Sequence, residues 1–152
     1  MKRILSVCLA VLLVVSLCGC GSKEKNVDVE KLAADLKTQL AYDDTLTAMK
    51  PEELAFYGVE VPAGAAVVVY MSSGATGEEL VTAKCASAAD AQALKDSLTA
   101  LVDDQAESFR RYKPEETARL EKAVFYQSGS YVVLSVSSDP AAAEQIIKGY
   151  FK

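Results

Sequence analysis

Two cysteines, Cys18 and Cys20, are the residues whose type and spacing most directly suggest chemistry. A pair of thiolates separated by one residue can act in redox exchange or supply half of a tetrahedral zinc site. The chain contains no histidine that could complete a mixed zinc site. The sequence therefore favours modification of one cysteine over metal binding, and we expect no metal or cofactor.

The residues before this cysteine pair are typical of a secretory signal. Residues 1–3 are basic at Lys2 and Arg3, and residues 4–17 are almost wholly apolar. This run is shorter than the ~20 residues that a helix needs to cross the hydrocarbon core of a bilayer. It fits the short apolar middle of a cleaved signal peptide, and an uncleaved membrane helix is the alternative.

The segment from Leu17 to Cys20 resembles the lipobox of bacterial lipoproteins, with leucine three positions before the cysteine and small residues between them. The resemblance implies that Cys20 carries a diacylglyceryl thioether and becomes the new N-terminus. Two acyl chains anchor a protein stably because each buried CH₂ contributes ~0.8 kcal/mol. The expected organisation is a signal peptide over residues 1–19 and a lipidated cysteine with a polar tether over residues 20–26. The expected location is the extracytoplasmic face of the cell membrane.

The charge of the processed chain limits its partners. Removal of Lys2 and Arg3 leaves 14 basic and 21 acidic side chains, a formal net charge of −7. Such a domain is repelled by nucleic acid and by anionic lipid headgroups, so we exclude nucleic-acid binding and expect membrane contact through the lipid alone. At ~3.3–3.6 Å per residue the tether reaches at most ~20 Å, which keeps the domain close to the bilayer.

Residues 27–152 are expected to form a single α+β domain, because helical and strand patterns follow each other along the chain. The predicted elements are a helix after Asp28, a short helix at 51–57 that ends at Gly58, strands at 65–71 and 78–85, a long helix capped by Ser87 and interrupted at Pro114, a short helical stretch up to Lys122, strands at 123–127 and 131–137, and a last helix after Asp139.

Both predicted strand pairs are joined by turns too short for a parallel crossover, so each pair should be an antiparallel hairpin. We therefore expect a four-stranded, mainly antiparallel sheet packed against the long helix and the C-terminal helix, with N-terminal helices in addition. The second sheet face is too apolar to lie fully in water. The sequence leaves open whether the N-terminal helix covers it or whether it is a binding surface.

Residues 105–140 resemble the second half of an uncharacterised family of small lipoproteins from Gram-positive, mainly anaerobic gut bacteria, known as domain of unknown function 4358. The segment "PEELAFYGV" before a Val-Tyr strand resembles the first half. The resemblance implies the fold and the location of the protein and no reaction. The positions that carry it are Gln105, Phe109, Tyr112, Pro114, Glu115, Leu120, Ala123, Val124, Gly129, Tyr131, Val132 and Asp139.

Catalytic groups are sparse in the sequence. The absence of histidine removes the commonest general base and the common catalytic triads. Adjacent carboxylates at 43–44, 103–104 and 115–116 point in different directions and are expected to be solvated surface. Cys85 ends an apolar-rich stretch, so we expect a buried small hydrophobe instead of a reactive thiol. An enzyme of unfamiliar type that uses Cys85 or carboxylates is the alternative function.

The function that we favour from the sequence is a surface-tethered binding or interaction module, whose partner is an unknown envelope protein or a small ligand. One candidate surface is the aromatic sheet face around Tyr70, Phe125 and Tyr131. The other is the basic patch at Arg110 and Arg111, which could hold a carboxylate or phosphate but also suits a helix C-terminus for structural reasons. A spacer role without any ligand is the third interpretation.

Overall fold

The computed structural model describes residues 25–152. The predicted signal peptide, the lipobox and Cys20 lie outside the described residues. Among the helices of residues 25–152, none has the length and apolarity needed to cross a membrane.

Five strands form one antiparallel sheet in the order β1-β2-β3-β5-β4. Both predicted hairpins are present, and β3 joins them by pairing with β5 in a register that runs from Glu79↔Val136 to Lys84↔Tyr131. The short turns thus predicted the two hairpins correctly, whereas the pairing of β3 with β5 was not predicted from the sequence. The strands are β1 Thr47–Met49, β2 Ala66–Met71, β3 Glu79–Lys84, β4 Val124–Ser128 and β5 Tyr131–Val136.

The prediction of four strands was wrong by one, because β1 was not recognised. This strand has three residues and pairs along β2 from Thr47↔Met71 to Met49↔Val69. So short a segment carries no measurable alternation, and two of its three side chains are exposed. It is extended because β2 offers it a row of unpaired main-chain groups.

The helices begin where capping residues predicted them. The side chains of Asp28, Ser87 and Asp139 each accept a hydrogen bond from the main-chain N–H three residues further on. Gly58 ends the short 3₁₀ helix with φ at 77°, a conformation that glycine adopts without steric cost. The helices are α1 Val29–Gln39, the 3₁₀ helix Pro51–Tyr57, α2 Ala88–Phe109, α3 Pro114–Leu120 and α4 Pro140–Phe151.

Helices cover both faces of the sheet, which settles the question that the sequence left open. One face packs against α2 through residues such as Val81 and Leu134, and the other packs against α1 and α4 through Leu80 and Val133. The long helix and the C-terminal helix therefore lie on opposite faces. Two helical layers are needed because successive residues of β3 and β5 are apolar on both sides of the sheet.

The two ends of the sheet differ in what they carry. Lys84 is the last residue of β3, and its Nζ donates a hydrogen bond to Asn26 Oδ1 at 2.9 Å. The first described residues therefore lie at this end of the sheet. We call this the start end. The opposite end carries the turn between β2 and β3 at residues 72–78, together with the last turn of α2, and we call it the turn end. The six residues of β3 are separated by five steps of ~3.3 Å, which place the two ends roughly 17 Å apart.

Candidate binding site

The three aromatic residues predicted to form one binding face do not share a surface. In the β4–β5 register Phe125 is opposite Leu134, and it packs into the core beneath α2. Tyr70 and Tyr131 point to the face covered by α1 and α4. The prediction was wrong because strand parity places Phe125 on the opposite side of the sheet from the two tyrosines.

Tyr131 has a structural role, since only 1% of its surface is exposed. Its hydroxyl accepts a hydrogen bond from the main-chain N–H of Val27 at 3.1 Å, and its ring meets Phe151 edge-on at 5.6 Å. Tyr70 is half-buried beneath Lys37, whose Nζ lies 4.3 Å from the ring centroid. These contacts hold α1, α4 and the start of the described chain against the sheet.

The predicted basic residues Arg110 and Arg111 are exposed, and they lie at the turn end because α2 finishes there. Arg110 Nε forms an ion pair with Glu107 Oε2 at 3.1 Å on the helix surface. The neighbouring Lys113 donates from Nζ to the carbonyl of Ala75, which ties this patch to the β2–β3 turn. The basic patch therefore borders that turn and does not form an isolated site.

A buried ionic cluster at the turn end was not predicted from the sequence. The Glu78 carboxylate accepts hydrogen bonds from the main-chain N–H groups of Asp43, at 2.9 and 3.0 Å, and Asp44, at 2.9 Å. Arg119 lies between three carboxylates. Its Nη1 is 2.8 Å from Glu116 Oε2 and 3.4 Å from Glu78 Oε1, and its Nη2 pairs with Asp43.

This cluster joins three segments that are distant in sequence: residues 41–46, the β2–β3 turn and α3. Glu116 Oε2 also accepts from the main-chain N–H of Gly77 at 3.0 Å. The expectation that residues 115 and 116 form a solvated carboxylate pair is correct for Glu115 and wrong for Glu116, which is buried. The pairing of Arg119 with the buried carboxylates offsets the cost of removing these charges from water. The role of the cluster is to hold the β2–β3 turn in place.

The β2–β3 turn forms one wall of a cavity of about 210 Å³, which we call the turn pocket. The 3₁₀ helix supplies a second wall, and the last turns of α2 supply the third. The residues on which the site depends are Tyr57, Met71, Thr76, Gly77, Gln105 and Phe109.

Exposed aromatic side chains occur in the turn pocket and next to residues that line it. Tyr57 lines it and is 47% exposed, and Phe56 beside it in the 3₁₀ helix is 87% exposed. On the other side, the Phe109 ring lies 5.4 Å from the ring of Tyr112, which is 69% exposed. Among the described residues, the exposed large hydrophobic residues are Phe56, Tyr57 and Tyr112. Tyr57 lines the pocket, and the other two are neighbours of the lining residues Tyr57 and Phe109.

A buried carboxyl group lies behind the pocket wall. Glu79 is 1% exposed and shares its face of the sheet with Val81, and its Oε2 accepts a hydrogen bond from Gln105 Nε2 at 3.2 Å. Burial raises the pKa of Glu79 to about 7, although the hydrogen bond from Gln105 offsets part of this increase.

Two oxygen atoms of this pair, Glu79 Oε1 and Gln105 Oε1, form no hydrogen bond within residues 25–152. A buried acceptor without a donor is unfavourable. A proton on Glu79 would turn one of the two acceptors into a donor and so relieve the shortage. The two unpaired acceptors and the raised pKa of Glu79 both indicate that the protonated side chain fits this site better than the carboxylate does.

The groups of the alternative enzymatic function are poorly placed for chemistry. Cys85 is buried at the start end, as predicted, and its burial and Asp90 both raise the pKa of its thiol, which disfavours the reactive thiolate. Glu79 has a pKa suited to proton transfer, but it is enclosed by the core. Within the described residues no cluster of carboxylate and cysteine side chains could hold a metal ion.

A larger groove, of about 520 Å³, lies between α1 and α4. Its lining includes Lys25, Asn26 and Val27, where the described chain begins, together with Ile146 and Tyr150. Lys25, at one end of this lining, is the first residue that the structure describes. The turn pocket is the stronger candidate site because its lining includes an exposed aromatic residue, Tyr57.

The fold and the site define a mixed α/β domain with a five-stranded antiparallel sheet and a pocket at one end of that sheet. The chain belongs to the family described as a domain of unknown function (DUF4358), which matches residues 35–137. This range contains all five strands, the ionic cluster and the turn pocket. No curated protein and no solved structure matches the chain.

Proposed function

We propose that the protein is a lipid-anchored binding module on the extracytoplasmic face of the membrane, and that the turn pocket with its exposed aromatic residues binds the partner. The observation that carries this proposal is the concentration of exposed aromatic surface at one pocket. Exposed tyrosine and phenylalanine side chains supply large contact area with few rotatable bonds, and aromatic residues dominate the energetics of binding surfaces.

The position of the pocket supports a tethered module. The described part of the chain starts on the α1 and α4 face at the start end, where Asn26 and Val27 are hydrogen-bonded. The turn pocket opens at the other end of the sheet, between the β2–β3 turn and α2 on the opposite face. A tether of at most ~20 Å would keep the start end near the bilayer. The pocket would then face away from the bilayer, toward an envelope partner.

Cys20→Ala is expected to remove the protein from the membrane fraction, because the alanine side chain has no thiol to carry the lipid. Fractionation of cells that produce the full chain, followed by immunoblotting, measures this. Cys18→Ala is the matched control, since it keeps a small residue before Cys20 and should leave the protein in the membrane. Full membrane retention of Cys20→Ala would contradict lipid anchoring and favour an uncleaved helix.

The pocket is tested by crosslinking in intact cells followed by mass spectrometry of the attached molecules. A partner recovered with the wild type should be lost from the Tyr57→Ala/Tyr112→Ala variant, since one central aromatic residue contributes about 2 kcal/mol or more, roughly 30-fold in affinity. Tyr70→Ala changes an aromatic residue on the covered face and should keep the partner. Equal recovery with the wild type and the double variant, at equal protein level, would contradict a role of the pocket.

A further inference from the structure

The strand β4 forms an open edge of the sheet with a defined hydrogen-bonding pattern. Ser128 pairs with Tyr131 across the two-residue turn of Gly129 and Ser130, and Gly129 has φ at 52°. Residues that flank such a turn exchange hydrogen bonds with each other, and the pattern then alternates along the strand. The main-chain groups of Phe125 and Gln127 therefore point away from β5, out of the sheet.

The pairing of the neighbouring strands agrees with this alternation. The main-chain N–H of Cys85 donates to the Ser130 carbonyl at 2.8 Å, so Ser130, Val132 and Leu134 bond toward β3. The residues between them bond toward β4. Within residues 25–152, no hydrogen bond satisfies the outward N–H and C=O groups of Phe125 and Gln127.

The two edges of the sheet differ in how well they are protected. The edge strand β1 has three residues and is followed directly by Lys50 and Pro51. Natural sheets use short strands, lysine and proline in this way to prevent unwanted pairing. Residues 123–131 contain no charged residue and no proline, and the edge strand within them has five residues. The β4 edge thus lacks the protection that the β1 edge has.

We propose that β4 is the interface for a second copy of this chain, which continues the sheet by antiparallel pairing of the two β4 strands. The register that uses both outward residues of each strand pairs Phe125 with Gln127 of the second copy, and Gln127 with its Phe125. This gives four main-chain hydrogen bonds around a two-fold axis at Tyr126. The two five-stranded sheets become one sheet of ten strands.

Charge complementarity favours a second copy over an unrelated strand. A groove of about 370 Å³ runs beside the edge between β4 and α4, lined by Val124, Tyr126 and Ile147 and by the ion-paired Glu144 and Lys148. An isologous interface must be self-complementary, and this surface meets the condition where Glu144 of one copy lies opposite Lys148 of the other. Tyr126 is held in place by Phe151, whose ring lies 4.8 Å away.

The arrangement is also compatible with the proposed lipid anchor. The two-fold axis is perpendicular to the sheet, so both copies present the α1 and α4 face to the same side. The start of each described chain lies on that face, and each turn pocket opens on the other. Both copies can therefore be tethered to one bilayer with both pockets directed away from it.

Cysteine crosslinking of the full chain in intact cells tests the register. Tyr126→Cys places two identical residues directly opposite each other at a non-hydrogen-bonded pair, with Cα atoms ~4.5 Å apart, a separation that a disulfide can bridge. We expect a disulfide-linked dimer for Tyr126→Cys that exceeds by at least ten-fold the amount for Phe125→Cys, Gln127→Cys or Ala48→Cys. Ala48 lies on the β1 edge and controls for random collision.

Sedimentation of the full chain, purified in mild detergent, gives a second test that does not require a new thiol. Gln127→Pro removes an outward N–H donor and no bond to β5. The dissociation constant of its dimer should therefore be at least ten-fold higher than that of the wild-type dimer. Equal crosslinking at all four positions, or a wild type that stays monomeric, would overturn the proposal. Disulfide capture of a different protein by Tyr126→Cys without self-crosslinking would also overturn it, and would assign the edge to a foreign strand.

Discussion

Arg119→Ala is expected to lower the free energy of unfolding by about 3–5 kcal/mol, the range measured when one partner of a buried ion pair is removed. Arg119 Nη1 lies 2.8 Å from Glu116 and 3.4 Å from Glu78, and both carboxylates are buried. Without the guanidinium group, Glu78 would lose its cationic partner within the described residues, and Glu116 would keep only Lys113, whose Nζ lies 3.7 Å from Glu116 Oε1. Urea denaturation of the purified chain, followed by far-UV circular dichroism, measures the change.

Arg110→Ala is the matched control, since it breaks the ion pair with Glu107 on the exposed surface of α2. Exposed pairs contribute about 0–1 kcal/mol, so this variant should unfold close to the wild type. Adding Glu78→Gln and Glu116→Gln to Arg119→Ala should recover part of the loss, because the buried negative charges are then gone. If Arg119→Ala were as mild as Arg110→Ala, the buried cluster would contribute little to stability.

Glu79→Gln is expected to remove a decline in stability between about pH 4.5 and pH 7. The pKa of Glu79 rises from 4.5 to about 7 on folding, so the folded state binds the proton more tightly than the unfolded state does. The contribution of Glu79 to stability is therefore fully present below about pH 4.5 and is lost as the pH rises to about 7. A shift of this size corresponds to about 3 kcal/mol.

The measurement is urea denaturation of the wild type and of Glu79→Gln at pH 5 and at pH 8. Glutamine has the shape of the neutral acid and carries an N–H donor, so the variant should gain stability relative to the wild type at pH 8. In Gln105→Met the hydrogen bond that lowers the pKa of Glu79 is missing, so the decline should move to higher pH. If the difference between Glu79→Gln and the wild type were the same at both pH values, Glu79 would have no raised pKa in the folded state.

Most secondary structure was predictable because its signals are local. The side chains of Asp28, Ser87 and Asp139 bond main-chain groups three residues away, and a capping residue can be recognised within that distance. The two-residue turn at Gly129 fixes the register of its hairpin in the same way. The burial of Cys85 was predicted because it directly follows the apolar-rich strand β3 in sequence.

Family membership was also carried by the sequence, and the match over residues 35–137 confirms it. The matching motifs are packing patterns of helices, turns and strands. Such patterns define a fold and carry no chemistry. Lipid anchoring and binding therefore stay predictions, which the variants of Cys20, Tyr57 and Tyr112 test.

The assembly of the site was decided by the tertiary structure alone. Glu78 is bonded to Asp43, 35 residues away, and Arg119 is paired with the same Asp43 across 76 residues. No local pattern distinguishes these residues from solvated surface charges. The strand β1 and the covering of both sheet faces likewise depend on segments that meet only after folding. The sequence determined which elements form, with the exception of β1, because capping and periodicity act over a few residues. Only the tertiary structure decided which charges are buried and which aromatic residues are exposed, because burial depends on contacts between distant segments.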